Sequence, residues 1–190
     1  MSQRLQRLTA IIIAAGLQTL ALGYMVWERA SLIAGGKEVT LEVAPVDPRS
    51  LFRGDYVILN YRSISQLDAT ILTGPPQKDQ PLYVTLRRTP SGAWMPVSAA
   101  HARPDRFPEG DVVIQGRIDD IWQSTLGQPT QLRVRYGIES YFVPEGTGRD
   151  LENRVRDGSM KVIVAVGASG DSAIKGLEIE GVRIYDEPLL

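Results

Sequence analysis

Cysteine is missing from all 190 residues, which removes disulfides, thiolate metal sites and thiol nucleophiles together. Histidine is nearly missing as well. The single copy, His101, cannot build a histidine metal centre, and a Ser-His-Asp triad would depend on it alone. Its setting, Ala-Ala-His-Ala-Arg-Pro, reads as a solvent-facing loop. An excess of charge is lacking too: the formal net charge is −1, and the 21 basic residues are scattered along the chain. A nucleic-acid surface needs a concentrated basic face, so no nucleic-acid partner is expected. With 43% hydrophobic and 23% charged residues, low-complexity disorder is excluded, and one domain with a short appendage fits the length.

The appendage is N-terminal. Leu8 to Trp27 carry no charge and are mostly apolar. As a helix rising roughly 1.5 Å per residue, such a run spans about 30 Å, the hydrocarbon thickness of a bilayer. Arg4 and Arg7 precede it, and Tyr24 and Trp27 mark its far end, where amphipathic rings favour the interface. The leading arginines favour a cytoplasmic N-terminus, with the rest of the chain on the outer side of a bacterial inner membrane. Ala21 and Gly23 would also suit a signal-peptide cleavage site, but the uncharged run outlasts a signal's apolar region, so a single-pass anchor is expected. Ala15, Thr19 and Gly23 recur every four residues with Gly16 beside them, a face on which a second helix approaches closely in lipid. Gln18, near mid-span, prefers a hydrogen-bonding partner to hydrocarbon. The division read from the chain is residues 1–29 for tail and anchor, 30–36 for a flexible tether ending in Gly35-Gly36, and 37–190 for the outer domain.

Beyond the tether the apolar period becomes two. Val39, Leu41 and Val43 alternate with Glu38, Thr40 and Glu42, as in a half-buried strand. Further strands are expected at Tyr56–Tyr61, Leu82–Arg87, Trp94–Ser98, Val112–Ile118, Gln131–Tyr136, Met160–Val166 and Ile174–Ile184. Turn chemistry separates several of them, as in Thr89-Pro90-Ser91-Gly92 and Ser169-Gly170-Asp171. Short helices are expected only at Ser63–Leu72 and Asp150–Arg156. The fold class is therefore mainly β, a sandwich or partly open barrel after one transmembrane helix. A short echo links Phe52–Leu59 with Phe107–Ile114: each has an aromatic, a Gly-Asp turn and an apolar strand.

The most distinctive stretch runs from Asp47 to Tyr61 and contains Arg53-Gly54-Asp55-Tyr56-Val57-Ile58-Leu59-Asn60-Tyr61. Glycine there permits a backbone closed to other residues, Asp55 accepts amide hydrogen bonds in a turn, and Val57, Leu59 and Tyr61 share one strand face. The motif reads as a corner launching a strand. The pattern resembles the family of membrane-anchored bacterial GDYXXLXY proteins. Arg135-Tyr136-Gly137-Ile138-Glu139-Ser140-Tyr141-Phe142-Val143-Pro144-Glu145-Gly146 and the segment around Lys175 are similar to it as well. The resemblance implies an accessory role beside a multi-pass membrane protein. It carries over no activity, cofactor or catalytic residue.

Ser50 to Val57 also resembles the segment after the nucleophile in membrane-anchored signal peptidases. Here the nucleophile's position is Val46, which has no nucleophilic atom, and only Lys78, Lys161 and Lys175 follow the motif. That chemistry does not carry over. In the second stretch Glu139 and Glu145 with Tyr136, Tyr141 and Phe142 are parts from which a glycan site is made. They equally suit an exposed aromatic protein-binding edge through Tyr141-Phe142-Val143-Pro144, or core packing. The expected function is a membrane-anchored accessory or binding domain with an integral membrane partner and no enzymatic activity. The alternatives are an envelope hydrolase using Ser50, Asp55, Glu139, Glu145 and Lys175, and a small-ligand sensor.

Overall fold

The computed structural model describes residues 3–44, 56–123, 130–142 and 160–186. Among the described residues one α-helix, α1 (Gln3–Gly35), precedes thirteen strands. They are β1 (Lys37–Ala44), β2 (Tyr56–Ile58), β3 (Asn60–Tyr61), β4 (Gln66–Asp68), β5 (Leu72–Thr73), β6 (Pro81–Arg88) and β7 (Trp94–Ala100). After them come β8 (Val112–Gln123), β9 (Thr130–Arg135), β10 (Ser140–Phe142), β11 (Met160–Val166), β12 (Ser172–Ile179) and β13 (Val182–Asp186). One sheet runs β13-β12-β11-β1-β3, a second runs β4-β9-β8-β6-β7-β5, and β10-β2 forms a short ribbon; the domain includes a sheet curled into a half-barrel. The architecture is thus a mainly β domain behind an N-terminal helix.

The period-two runs explain the core. Val39, Leu41 and Val43 of β1 face inward with Val162 and Val164 of β11 and with Val84, Ile114, Ile118 and Leu132 from the second sheet. Both main sheets therefore drain into a single apolar cluster. In β11, burial covers both faces: Ile163 and Ala165, on the side away from that cluster, are also buried. The C-terminal turns of α1 pack on β11 and β12, and Ile33 is buried.

That packing corrects the flexible tether expected at residues 30–36. The helix runs unbroken to Gly35. The Gly36 N–H then bonds the Leu32 carbonyl, and β1 starts at Lys37. Gly36 is there for close approach: a Cβ on it would lie 2.6 Å from the Leu32 carbonyl oxygen and 3.0 Å from the Ala165 Cβ.

Other departures have similar local causes. Ser63–Leu72 is not a helix but β4, a single 3-10 turn at Ala69–Ile71 and the start of β5. Buried Ile64 and Leu67, three apart, imitate helical spacing, while Asp68 caps the turn by accepting from the Thr70 N–H. The strand expected across Ile174–Ile184 is a hairpin, reversed at Glu180 and Gly181, both with positive φ. His101 is half-buried, and its ring nitrogens lie 2.9 Å from the Pro81 carbonyl oxygen and 3.1 Å from that of Pro75. It ties a loop to a strand instead of facing solvent. The segment Asp150–Arg156 and residues Phe52–Asp55 of the echo lie outside the described residues.

In the other half of the echo, Asp111 is buried and receives two hydrogen bonds from Arg87, at 3.0 and 2.8 Å. The Arg87 guanidinium holds its carboxyl below the usual aspartate range against the opposing effect of burial. A depressed folded-state value stabilises the fold above the unfolded aspartate's range, near pH 4, and the effect disappears as pH falls through the lower folded value. Thermal melts should therefore lose stability below about pH 4, and Asp111→Asn should show a smaller loss over the same interval. A second test concerns Gly116, where an added Cβ would meet the Arg135 carbonyl oxygen at 2.9 Å and the Tyr136 Cδ1 at 2.8 Å. Gly116→Ala is expected to cost about 1–3 kcal/mol in urea unfolding.

Candidate functional site

The two distinctive stretches of sequence meet. β2 pairs antiparallel with β10, placing Ser140, Tyr141 and Phe142 opposite Ile58, Val57 and Tyr56. The Leu59 N–H continues the ladder to the Glu139 carbonyl at 2.8 Å. Leu59 and Tyr61 are both buried, as the alternation required. From inside the core the Tyr61 hydroxyl donates to the Ile138 carbonyl at 2.5 Å. In the opposite sense the Tyr136 hydroxyl donates to the Ile64 carbonyl at 2.9 Å. Two phenols thus stitch the stretches together, Tyr61 to the backbone of the second and Tyr136 to the backbone just beyond the first. Burial raises the pKa of both hydroxyls well above the ordinary phenol value, and the Glu139 charge adds to it, so both remain neutral donors.

Glu139 shapes the turn between them. Its carboxylate accepts from the backbone N–H groups of Tyr136, at 2.5 Å, and Gly137, at 3.0 Å. Gly137 has φ +78°, a left-handed conformation that glycine adopts without strain. Tyr141 is half-buried and packs against the core. Of the other residues singled out in sequence, Arg53, Gly54, Asp55, Pro144, Glu145 and Ser50 lie outside the described residues, as do the side chains of Tyr56 and Phe142. Lys175 is elsewhere, on β12, where its ammonium lies 2.9 Å from the Glu38 carboxylate. The Lys175 contact is the main influence lowering the Glu38 pKa. Glu139 and Lys175 are therefore each engaged with separate partners. Among the described residues no group of three His, Asp or Glu is placed to hold a metal.

The Tyr136–Glu139 turn forms one wall of an open groove of about 1150 Å³ between the last turns of α1 and the domain. Met25, Glu28, Arg29 and Leu32 line it from the helix, Arg117 and Arg135 from the second sheet, and Gly167 to Ser169 with Asp171 and Ser172 from the β11–β12 turn. That turn is anchored across the sheets, because the Gln115 N–H donates to the Gly170 carbonyl at 2.8 Å. From the helix side Arg29 donates to the Ser172 carbonyl at 3.0 Å.

Sequence reasoning passed over Arg117, whose neighbours in the chain are unremarkable, and noted Arg135 only as the first residue of the second distinctive stretch. A bulge in β8 between Ile118 and Asp120 places Arg117 directly opposite Arg135 on β9. Continuing the outer register of Gln123 with Thr130 without that extra residue would have put Arg117 opposite Tyr136. The small-residue face of α1 is free: Ala15, Gly16, Gln18, Thr19 and Gly23 are exposed, and nothing lies within 4 Å of a Cβ built on Gly16 or Gly23.

The family model described as GDYXXLXY protein matches residues 18–177, spanning the second half of the helix and most of the β domain. No curated protein and no solved structure matches the chain.

The tyrosine stitches give a direct test. Tyr61→Phe leaves the buried Ile138 carbonyl without its donor and should destabilise the fold by about 1–3 kcal/mol in urea. Tyr136→Phe should do the same to the Ile64 carbonyl. The double variant should depart from additivity, because both bonds join the same two segments.

Proposed function

The chain belongs to the GDYXXLXY protein family, and from that premise we propose that it is a membrane-anchored accessory domain working beside an integral membrane partner. The observation that supports this reading best is the helix. α1 is 33 residues long and contains a stretch apolar enough to cross a membrane, none of it buried against the domain. At roughly 1.5 Å per residue it is about 50 Å long, some 20 Å more than the hydrocarbon core requires. Its excess length carries the turns that dock on the β domain.

In this reading Arg4 and Arg7 hold the short leading end in the cytoplasm of a bacterial cell. Leu8 to Trp27 cross the inner membrane, and the β domain stands directly on its outer surface. Tyr24 and Trp27, with ring centroids 6.1 Å apart, fall at the outer interface, where such rings are favoured. The exposed stripe from Ala15 to Gly23 is where a partner's helix packs, and Gln18 offers that helix a hydrogen bond. The domain contributes binding rather than turnover: the carboxylate that shapes its groove, Glu139, holds a turn together.

Co-purification from native membranes in mild detergent tests the proposal. The full-length protein with a C-terminal tag should bring down a multi-pass protein at near-equal amounts. Replacing Leu8–Trp27 with an unrelated apolar span should abolish the recovery while leaving the β domain folded. Recovery of the tagged protein alone, with either span, would defeat the accessory role.

A further inference from the structure

We propose that the groove between α1 and the β domain binds the phosphodiester headgroup of a membrane lipid, with Arg117 and Arg29 as its principal donors. The inference rests on the reading of α1 as a transmembrane anchor for its choice of a lipid as ligand. Position is the first argument. The groove is lined by helix residues from Met25 to Gly35, beginning within the uncharged run and continuing past its end at Trp27. That interval rises roughly 15 Å along the axis, so in a bilayer the groove opens at headgroup level.

Chemistry is the second argument. Arg117 and Arg135 lie directly opposite each other on one sheet face, an arrangement that costs stability through like-charge repulsion. Arg135 is answered by Asp119 at 2.6 Å. Among the described residues Arg117 has only a carbonyl partner, that of Asp79 at 2.9 Å, and Arg29 only that of Ser172. A guanidinium has five N–H donors in a planar fork, so each of these two keeps donors to spare. Two of the carboxylates lining the same space are already committed as acceptors: Glu139 to two backbone N–H groups and Asp171 to the Ser169 hydroxyl. With Glu28 the lining carries as many carboxylates as arginines, yet among the described residues no carboxylate pairs with Arg117 or Arg29, and the ligand that matches their unused N–H donors is an anion with several oxygens. Phosphate takes guanidinium in a paired fork, and a lipid presents that phosphate at this height.

The experiment uses the full-length protein in detergent and compares three probes by thermal shift. They are a short-chain phosphatidylglycerol, the diacylglycerol of the same chain length, and inorganic phosphate. The phospholipid should raise the melting temperature saturably while neither of the others does. Arg117→Gln should weaken its apparent affinity about tenfold, the size of one lost charge-assisted hydrogen bond, whereas Arg88→Gln, away from the groove, should leave it unchanged. If Arg117→Gln folds poorly, Arg29→Gln gives the same reading from the helix side, and Arg117→Lys should recover part of the affinity. Equal stabilisation by diacylglycerol would mean that only acyl chains bind. A response to inorganic phosphate alone would mean a soluble-anion site, and an unchanged Arg117→Gln affinity would remove the arginine from the site; each overturns the inference. Alkaline carbonate extraction of native membranes reports separately on the anchor. Release of the protein there, with the phospholipid response intact, would defeat the transmembrane reading and leave the headgroup site standing.

Discussion

A hydroxyl buried in an apolar core must find an acceptor, and in this domain that requirement fixes how the chain closes. Tyr61 belongs to the sheet that contains β1 and β11, while Ile138 follows β9 of the other sheet. The bond from Tyr136 to the Ile64 carbonyl lies beside it, and the Val134 N–H bond to the Ser65 carbonyl extends the β4–β9 pairing within the second sheet. The Gln115 to Gly170 bond joins β8 to the β11–β12 turn. The two sheets are therefore joined by hydrogen bonds at more than one place, with the shared apolar cluster between them. Leaving either phenol unpaired would put an unsatisfied polar group in that cluster, so only a narrow range of sheet positions is compatible with a stable core.

The parts of this arrangement written as side-chain periodicity were readable in advance. β1 and β11 announce themselves by alternation and by a continuous apolar run, and their observed limits differ little from those expected. The two distinctive stretches were also visible as stretches. Their meeting was not, because the acceptors for Tyr61 and Tyr136 are backbone carbonyls, which every residue has and no pattern marks. Gly35-Gly36 shows the opposite failure. Two glycines in a row suggest freedom, yet Gly36 is small because Leu32 and Ala165 leave no room for a Cβ. The arginine pair depended on a one-residue bulge, and a shift of that size exchanges which side chains face each other without altering composition at all.

The groove inherits its form from these constraints. One wall is the turn held by Glu139, a second is the turn pinned through Gly170, and the third is the helix whose last turns cover β11 and β12. The groove is thus a by-product of closing the domain and seating the helix, with its polar groups carried on backbone that the fold has already immobilised.

The absence of slack between helix and domain has a further consequence. A domain on a loose tether explores a hemisphere and meets its neighbours from many directions. Here the helix continues into the fold, so in a bilayer the domain keeps one height and one heading relative to its own span. For a protein anchored as proposed, encounters would become a search in two dimensions with the orientation largely decided beforehand, which would lower the entropy lost on docking. The same stiffness makes the helix a lever: a few degrees of tilt or rotation imposed within the membrane would reach the far end of the β domain as a displacement, with no joint between them to absorb it.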